Sequence, residues 1–315
     1  MCLVAFSKKP NYSALEKLKR FKGRPRWAYI VITEKCSHAC PWCYGEYYKG
    51  SSGEMSLGNF RSLLKKLKAM DVEQITLSGG EPTEHSYFED FILLCKDFHI
   101  HIASHGEHIG VNMAAFLAEN GVRQVQFNFQ GSGYHDRIHG TSSYERQVEA
   151  IRLMLANEIE VTVTVTVGEY NLFSIGEIFR EAVDLGVTRL RVWDATGVGK
   201  DFCKGMEPTK IFEHCRREAA ALGYHHCLSY DPCFKGDITI PCLQFSGLYM
   251  YIDPACHLRF CGAVKKGPVI TNMLAESPET ILKKYLAVNR SILKDNRPWC
   301  VARYDDLEPH EQDLT

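Results

Sequence analysis

Apolar positions along this chain change their rhythm at regular intervals. The run Trp27-Ala-Tyr-Ile-Val-Ile-Thr33 is β-rich and nearly all apolar, as a strand covered on both faces is, and it predicts the first core strand. Phe60, Leu63, Leu64 and Leu67 then recur at helical spacing within 57–70. Strands are predicted over 74–78, 100–104, 124–129, 160–167 and 189–193. Between and after them the spacing predicts helices over 87–98, 112–120, 144–157, 175–185 and 208–222. Six strand-helix units in series imply a parallel sheet, because each right-handed crossover returns the chain to the same end.

The alternation stops near Tyr224. From there to Phe260 the chain reads as short β pieces and turns, with Tyr249-Met-Tyr-Ile252 and His257-Leu-Arg-Phe260 flanking an Asp253-Pro254 turn, and a helix follows from Glu279 to about Lys294. Three regions result: a basic, proline-containing lead over 1–26, an α/β unit over 27–223 and a smaller α+β extension over 224–315.

Composition narrows the function classes. The chain has 315 residues, 45% hydrophobic and 24% charged, so it can bury a sizeable core and is not a disordered chain. A formal net charge of -1 offers no excess of cations for a polyphosphate backbone, and nucleic acid is not an expected general partner. No apolar run is long enough to cross a bilayer and no apolar signal segment opens the chain, which sets the expectation of a cytoplasmic protein. Thirteen cysteines, an odd number, then speak against a disulfide framework and for metal binding or thiol chemistry.

Three of those cysteines stand together directly after the first strand, in Cys36-Ser-His-Ala-Cys40-Pro-Trp-Cys43. Zinc would prefer a fourth ligand; His38 could supply one, though it lies between two cysteines in a tight loop. Three thiolates at this spacing suit an iron-sulfur cube with three irons held by protein and one left open. The second strand ends in Ser78-Gly79-Gly80-Glu81-Pro82-Thr83. Two glycines there mean at least a tight turn. On the rim shared by successive strand ends they would also let backbone approach a ligand closely, with a carboxylate beside them for a cationic head.

This pair of motifs, C-x3-C-x2-C after strand one and Gly-Gly-Glu-Pro after strand two, resembles the radical S-adenosylmethionine superfamily. The resemblance spans roughly Trp27 to Lys200 and implies a partial (β/α)6, TIM-like barrel. It implies that Cys36, Cys40 and Cys43 hold a [4Fe-4S] cluster whose open iron is chelated by S-adenosylmethionine, with Gly79, Gly80 and Glu81 at the amino group, Pro82 beside them and Trp42 against the adenine. Trp42 could equally be a packing residue. Ser104, in Ser104-His105-Gly106, and Asn128, in Asn128-Phe129-Gln130-Gly131, stand at later strand ends where relatives place cofactor contacts. Gln130 replaces an acid, so a proton acceptor at that point is not expected. His135 and Asp136 read as loop-fixing residues, and Thr164, Thr166 and Asn171 as weaker pocket candidates.

Six cysteines lie between 227 and 300: Cys227, Cys233, Cys242, Cys256, Cys261 and Cys300. Cys242, eighteen residues, then Cys261 resembles the SPASM/twitch extension that carries auxiliary iron-sulfur clusters, with Cys256 where that pattern usually has a turn glycine. The resemblance implies one auxiliary [4Fe-4S] cluster on Cys242, Cys261 and Cys300, with Cys256 as fourth ligand, Cys233 in reserve, or an open iron. Buried packing thiols or a zinc site are the alternatives. The expectation is an enzyme that cleaves S-adenosylmethionine reductively, with electrons from a flavodoxin or ferredoxin, and abstracts hydrogen from a C–H bond. With only 26 residues before the first strand, a small-molecule substrate is weighed above a peptide or protein substrate for a maturase. A zinc- or cluster-bearing scaffold is the non-enzyme reading.

Overall fold

A computed structural model describes residues 25–43, 45, 53–194, 208–224, 228–232, 249–260 and 269–294. Six parallel strands follow one another through it: β1 (Trp27–Thr33), β2 (Gln74–Gly79), β3 (His99–Ser104), β4 (Val122–Asn128), β5 (Glu160–Val167) and β6 (Arg189–Asp194). Helices α1 (Leu57–Ala69), α2 (Phe88–Leu94), α3 (Val111–Glu119), α5 (Tyr144–Ala156), α6 (Ile175–Asp184) and α7 (Pro208–Ala221) alternate with them; a short α4 (His135–His139) precedes α5. The sheet has the order β10-β9-β8-β1-β2-β3-β4-β5-β6-β7 and stays open, as a partial barrel does. The parallel α/β sheet expected from the alternation is therefore observed, in the open partial barrel that the resemblance implies.

One face of each strand is apolar and feeds the core. Ile30 and Ile32 of β1, Ile75 and Leu77 of β2, Ile100 and Ile102 of β3, Val125 and Phe127 of β4 are all buried with the inner stripes of the helices. In α1 that stripe is Phe60, Leu63, Leu64 and Leu67, and Phe60 meets Phe91 edge-on with ring centroids 4.6 Å apart. The residues between these carry polar groups that bond across strands: Ser78 to Tyr29 (2.5 Å), Gln74 to His101 (3.1 Å), Gln124 to Thr162 (2.5 Å), Arg191 to Gln126 (2.8 Å) and Asn128 to Thr166 (3.0 Å). The second face of the sheet is thus a hydrogen-bonding surface, not a second apolar layer as the run in β1 alone suggests.

The C-terminal region adds to both edges of this sheet. β7 (Leu228–Pro232) pairs with β6, and β8 (Tyr249–Ile252) runs parallel to β1. β8 turns antiparallel into β9 (His257–Arg259), which pairs with β10 (Val269–Asn272) before α8 (Pro278–Lys294). Asp253 fixes the turn between β8 and β9: its carboxylate accepts from the amides of Ala255 (3.0 Å) and His257 (2.9 Å) and from Arg259 Nε (2.7 Å). Tyr285 of α8 donates its hydroxyl to the Tyr249 carbonyl at 2.6 Å and so docks the helix on β8.

Three elements depart from the sequence pattern. α2 ends at Leu94, where Cys95 caps it, and does not reach Phe98. α4 and β10 are additional; each is too short for its periodicity to show.

Two stability predictions follow from this packing. Phe60→Ala is expected to cost about 3–5 kcal/mol by transfer and cavity terms, read as a lowered denaturation midpoint. His101 is pushed down to about 4, by burial first and by Arg189 next. Its folded pKa lies below the unfolded value, so the fold excludes a proton that the unfolded chain takes up; stability should fall as pH drops from about 6.5 towards 4. His101→Gln should flatten that part of a stability-against-pH curve by about one proton.

Candidate active site

The site is built where β1 gives way to the cysteine loop. Two backbone hydrogen bonds bind that loop to the end of β2: Gly80 N–H to the Thr33 carbonyl (2.8 Å) and Glu81 N–H to the Lys35 carbonyl (2.7 Å). The approach is so close that side chains are excluded. A Cβ on Gly79 would lie 2.3 Å from Thr33 O, and one on Gly80 would lie 2.0 Å from Lys35 O and 2.8 Å from Cys36 Cβ. Neither glycine has a positive φ, so the demand is for space and not for left-handed backbone. The close approach anticipated for a ligand is made, in the structure, by the loop that bears the cysteines.

Carboxylates and histidines bolt the same loop from further along the rim. Glu81 is 1% exposed. Its Oε1 accepts from Thr83 N (3.1 Å), Thr83 Oγ1 (2.6 Å) and Ser104 Oγ (2.8 Å), and its Oε2 from His105 N (2.7 Å). It therefore joins the ends of β2 and β3, with Pro82 buried at the start of the turn that follows. Glu84 accepts from Ser37 N (2.9 Å) and faces His105 Nε2 at 3.5 Å. Burial would raise the Glu84 carboxyl; the bonds from His105 and Ser37 outweigh it and hold it at about 2. His105 shows the complement. Burial disfavours its cation, and Glu81, Glu84 and Glu107 more than restore it, so its pKa is raised.

His38, between the first two cysteines, stacks on His105 (centroids 3.9 Å, planes 7° apart) and bonds Glu107 Oε2 through Nε2 at 3.0 Å. Glu107 is in turn paired with Arg146. From α4, His139 accepts the Ala39 amide on its carbonyl (3.1 Å) and brings Nδ1 to 2.9 Å from Cys40 Sγ. Trp42 is buried, stacked on Tyr170 (5.8 Å, 12°) and edge-on to His139 (5.4 Å). Cys36, Cys40 and Cys43 form no disulfide and are partly exposed, and burial pushes the Cys36 thiol up. Three cysteine sulfurs outside any disulfide, on a loop braced at this many points, match a cluster that takes three protein ligands.

Asn128 closes the arc. Its amide donates to Thr166 Oγ1 and adjoins the amide of Gln130 (2.8 Å), which reaches Asn171 (3.0 Å). Gln130 is fully buried in this ladder. Gln147 of α5 donates to the carbonyls of His105 (2.8 Å) and Asn128 (3.0 Å), tying the ends of β3 and β4 together. Asp136 accepts from the amides of Ser143 and Tyr144 at the start of α5, both at 2.8 Å. The structure thus gathers Cys36, Cys40, Trp42, Cys43, Gly79, Gly80, Glu81, Pro82, Ser104 and Asn128 at the C-terminal ends of β1 to β4. Cys256 sits in the β8–β9 turn, while Cys242, Cys261 and Cys300 lie outside the described residues. Sequence reasoning missed Glu84, Glu107, His139 and Gln147 as site residues; only the clustering of histidines at strand ends hinted at them.

Comparisons agree with this geometry. Residues 30–182 match the profile of the Radical SAM superfamily. A PqqA peptide cyclase from Bradyrhizobium diazoefficiens is 26% identical over 176 residues, 54% of this chain and 46% of that one. A mycofactocin maturase, MftC, from Mycobacterium tuberculosis is 26% identical over 204 residues, 62% of this chain and 51% of that one. The chain spans about half the length of the curated relatives it matches. Among solved structures, SuiB of Streptococcus suis bound to its precursor peptide SuiA superposes with a TM-score of 0.69 at 13% identity, covering 91% of this chain and 74% of that chain; the likeness is one of fold. No helix among the described residues is long and apolar enough to cross a membrane. Residues 30–182, just under half of the chain, thus form a radical SAM domain.

Proposed function

We propose that this protein is a peptide-modifying radical S-adenosylmethionine enzyme of the SPASM/twitch type. The observation that carries the reading is the cysteine loop seated on Gly79 and Gly80, which holds three cysteines outside any disulfide at the strand ends of an open parallel barrel. Cys36, Cys40 and Cys43 would hold the [4Fe-4S] cluster, and Trp42, Gly79, Gly80, Glu81, Pro82, Ser104 and Asn128 would surround S-adenosylmethionine. The chemistry supplied by these groups when bound is one-electron cleavage of the sulfonium, giving a radical able to take hydrogen from a C–H bond. A flavodoxin or ferredoxin is the class of electron donor this requires.

The peptide substrate displaces the small-molecule reading favoured on sequence alone. The relatives are named for peptide cyclisation and maturation, and SuiB was solved with its precursor peptide. The polar face of the sheet supports the same choice. Gln124 with Thr162 and Arg191 with Gln126 give that face polar side chains, already bonded to one another in pairs, along neighbouring strands. Thr164 Oγ1, in register with Asn128, is buried without a hydrogen-bond partner among the described residues, so a polar group of substrate or cofactor would satisfy it.

An auxiliary [4Fe-4S] cluster on Cys242, Cys256, Cys261 and Cys300 belongs to the same proposal. Cys256 is buried, and its thiol is pushed up to about 11 by burial and then by Asp253. In that setting bonding to a metal, which removes the proton, offsets the cost of the thiolate.

Three measurements test this. Anaerobic reconstitution should load iron and sulfide, and reduction with S-adenosylmethionine should release 5′-deoxyadenosine; no cleavage by a fully loaded sample overturns the reading. Gly80→Ala should lose ~4 iron atoms per chain while its far-ultraviolet spectrum is unchanged, because the added methyl displaces the Lys35 carbonyl and Cys36. Incubated with short peptides encoded beside its gene, the loaded enzyme should change the mass of one of them. Hydrogen abstraction from a metabolite alone would sink the peptide assignment and leave the radical chemistry standing.

A further inference from the structure

We propose that, before the cluster is installed, the loop binds one divalent transition-metal ion of the zinc, cobalt or ferrous class through Cys40, His38 and His139. One ligand atom from each of these residues lies within 4.8 Å of the other two. Tetrahedral coordination at ~2.0–2.3 Å places ligand atoms roughly 3.3–3.8 Å apart, so binding one ion asks the three to close by about 1.5 Å at most.

A buried, unpartnered nitrogen on His38 and the seat of His139 beside Cys40 point to such an ion. The side chain of His38 is 1% exposed, and its Nε2 is committed to Glu107 at 3.0 Å. Its Nδ1 has no hydrogen-bond partner among the described residues. This is the arrangement of a metal-ligating histidine: a carboxylate on one ring nitrogen fixes tautomer and orientation and leaves the other nitrogen's lone pair for the metal. Arg146 holds Glu107 in place from α5. His139 is also 1% exposed, with Nδ1 already 2.9 Å from Cys40 Sγ and Nε2 buried without a partner. The two rings lie 5.2 Å apart, and the bond from Ala39 N–H to the His139 carbonyl keeps their segments together. One thiolate and two imidazoles leave a fourth position for water, a set that suits borderline-soft ions.

Cys40 would serve both the ion and the cluster, and this part rests on the function proposed above. The two states then exclude each other, and the mononuclear ion is a holding state of the loop that cluster assembly must displace.

The test uses full-length, cluster-free protein titrated anaerobically with Co2+. One equivalent should bind, with tetrahedral ligand-field bands and a charge-transfer band of one thiolate. The signal should persist in Cys36→Ser/Cys43→Ser and disappear in His38→Ala and in His139→Ala. Glu107→Gln, which touches no metal, should weaken binding by ~10–100-fold. A signal that needs Cys36 and Cys43 and ignores both histidines overturns the proposal, as does wild-type protein with no stoichiometric cobalt site. In a second arm, stoichiometric Zn2+ should slow iron-sulfide reconstitution of the wild type and not of His139→Ala. A cobalt site that behaves as stated in protein that never accepts a cluster would count against the proposed function alone.

Discussion

The structure turns on a contact with no room in it. Where the first strand ends, the backbone at Thr33 to Cys36 lies against Gly79 and Gly80 so closely that a single methyl group on either glycine would overlap a carbonyl. Both backbone bonds that fasten the loop, from Gly80 to Thr33 and from Glu81 to Lys35, depend on that closeness. A loop tethered only at its two ends would sample many arrangements of three thiols; held against a strand end it has few, and the entropy of ordering is met during folding instead of on loading a cofactor. The glycines that look at first like a turn are the surface on which the active loop is formed.

Around this seat the protein has placed buried charge, which is costly unless each group is paired. Glu81 has four protein donors, so its carboxylate is held by structure before any ligand arrives. Glu84 and His105 set each other's protonation, the carboxyl depressed to about 2 and the imidazole raised, each against the opposing effect of burial. The result is a rim in which β2, β3 and the cysteine loop are cross-braced by charge-assisted bonds, stronger than neutral ones and directional enough to fix the geometry.

Much of this was legible in the sequence. The six strand-helix alternations carry the sheet order, because right-handed crossovers allow little else, and the spacing of Cys36, Cys40 and Cys43 after β1 with Gly79-Gly80-Glu81 after β2 places two motifs on one rim. The braces were not legible. Glu107 and Arg146 are 39 residues apart, Cys40 and His139 are 99 apart, and no local pattern reports such a pair. Gln147 looks like any polar residue in a helix until its amide is seen joining two strand ends. Asn128 and Gln130 were read as separate rim positions, whereas the fold makes them rungs of one amide ladder.

The edge of the sheet completes the argument. β8 runs parallel to β1 in the register Ile252 to Ile30, so the turn after β8 emerges at the same end of the sheet as the cysteine loop. In that turn Cys256 has φ +62, a left-handed conformation that costs an L-residue about 1–2 kcal/mol and a glycine almost nothing. The turn is otherwise well made, with Asp253 accepting from Ala255 and His257, and the Cys256 carbonyl bonded to the Met273 amide at 2.8 Å. Glycine would serve its backbone better. A buried thiol adds little packing beyond a methyl group, and its ionisation is opposed by its surroundings. The parallel pairing of β8 with β1 directs that sulfur's turn towards the end of the sheet that carries the cysteine loop.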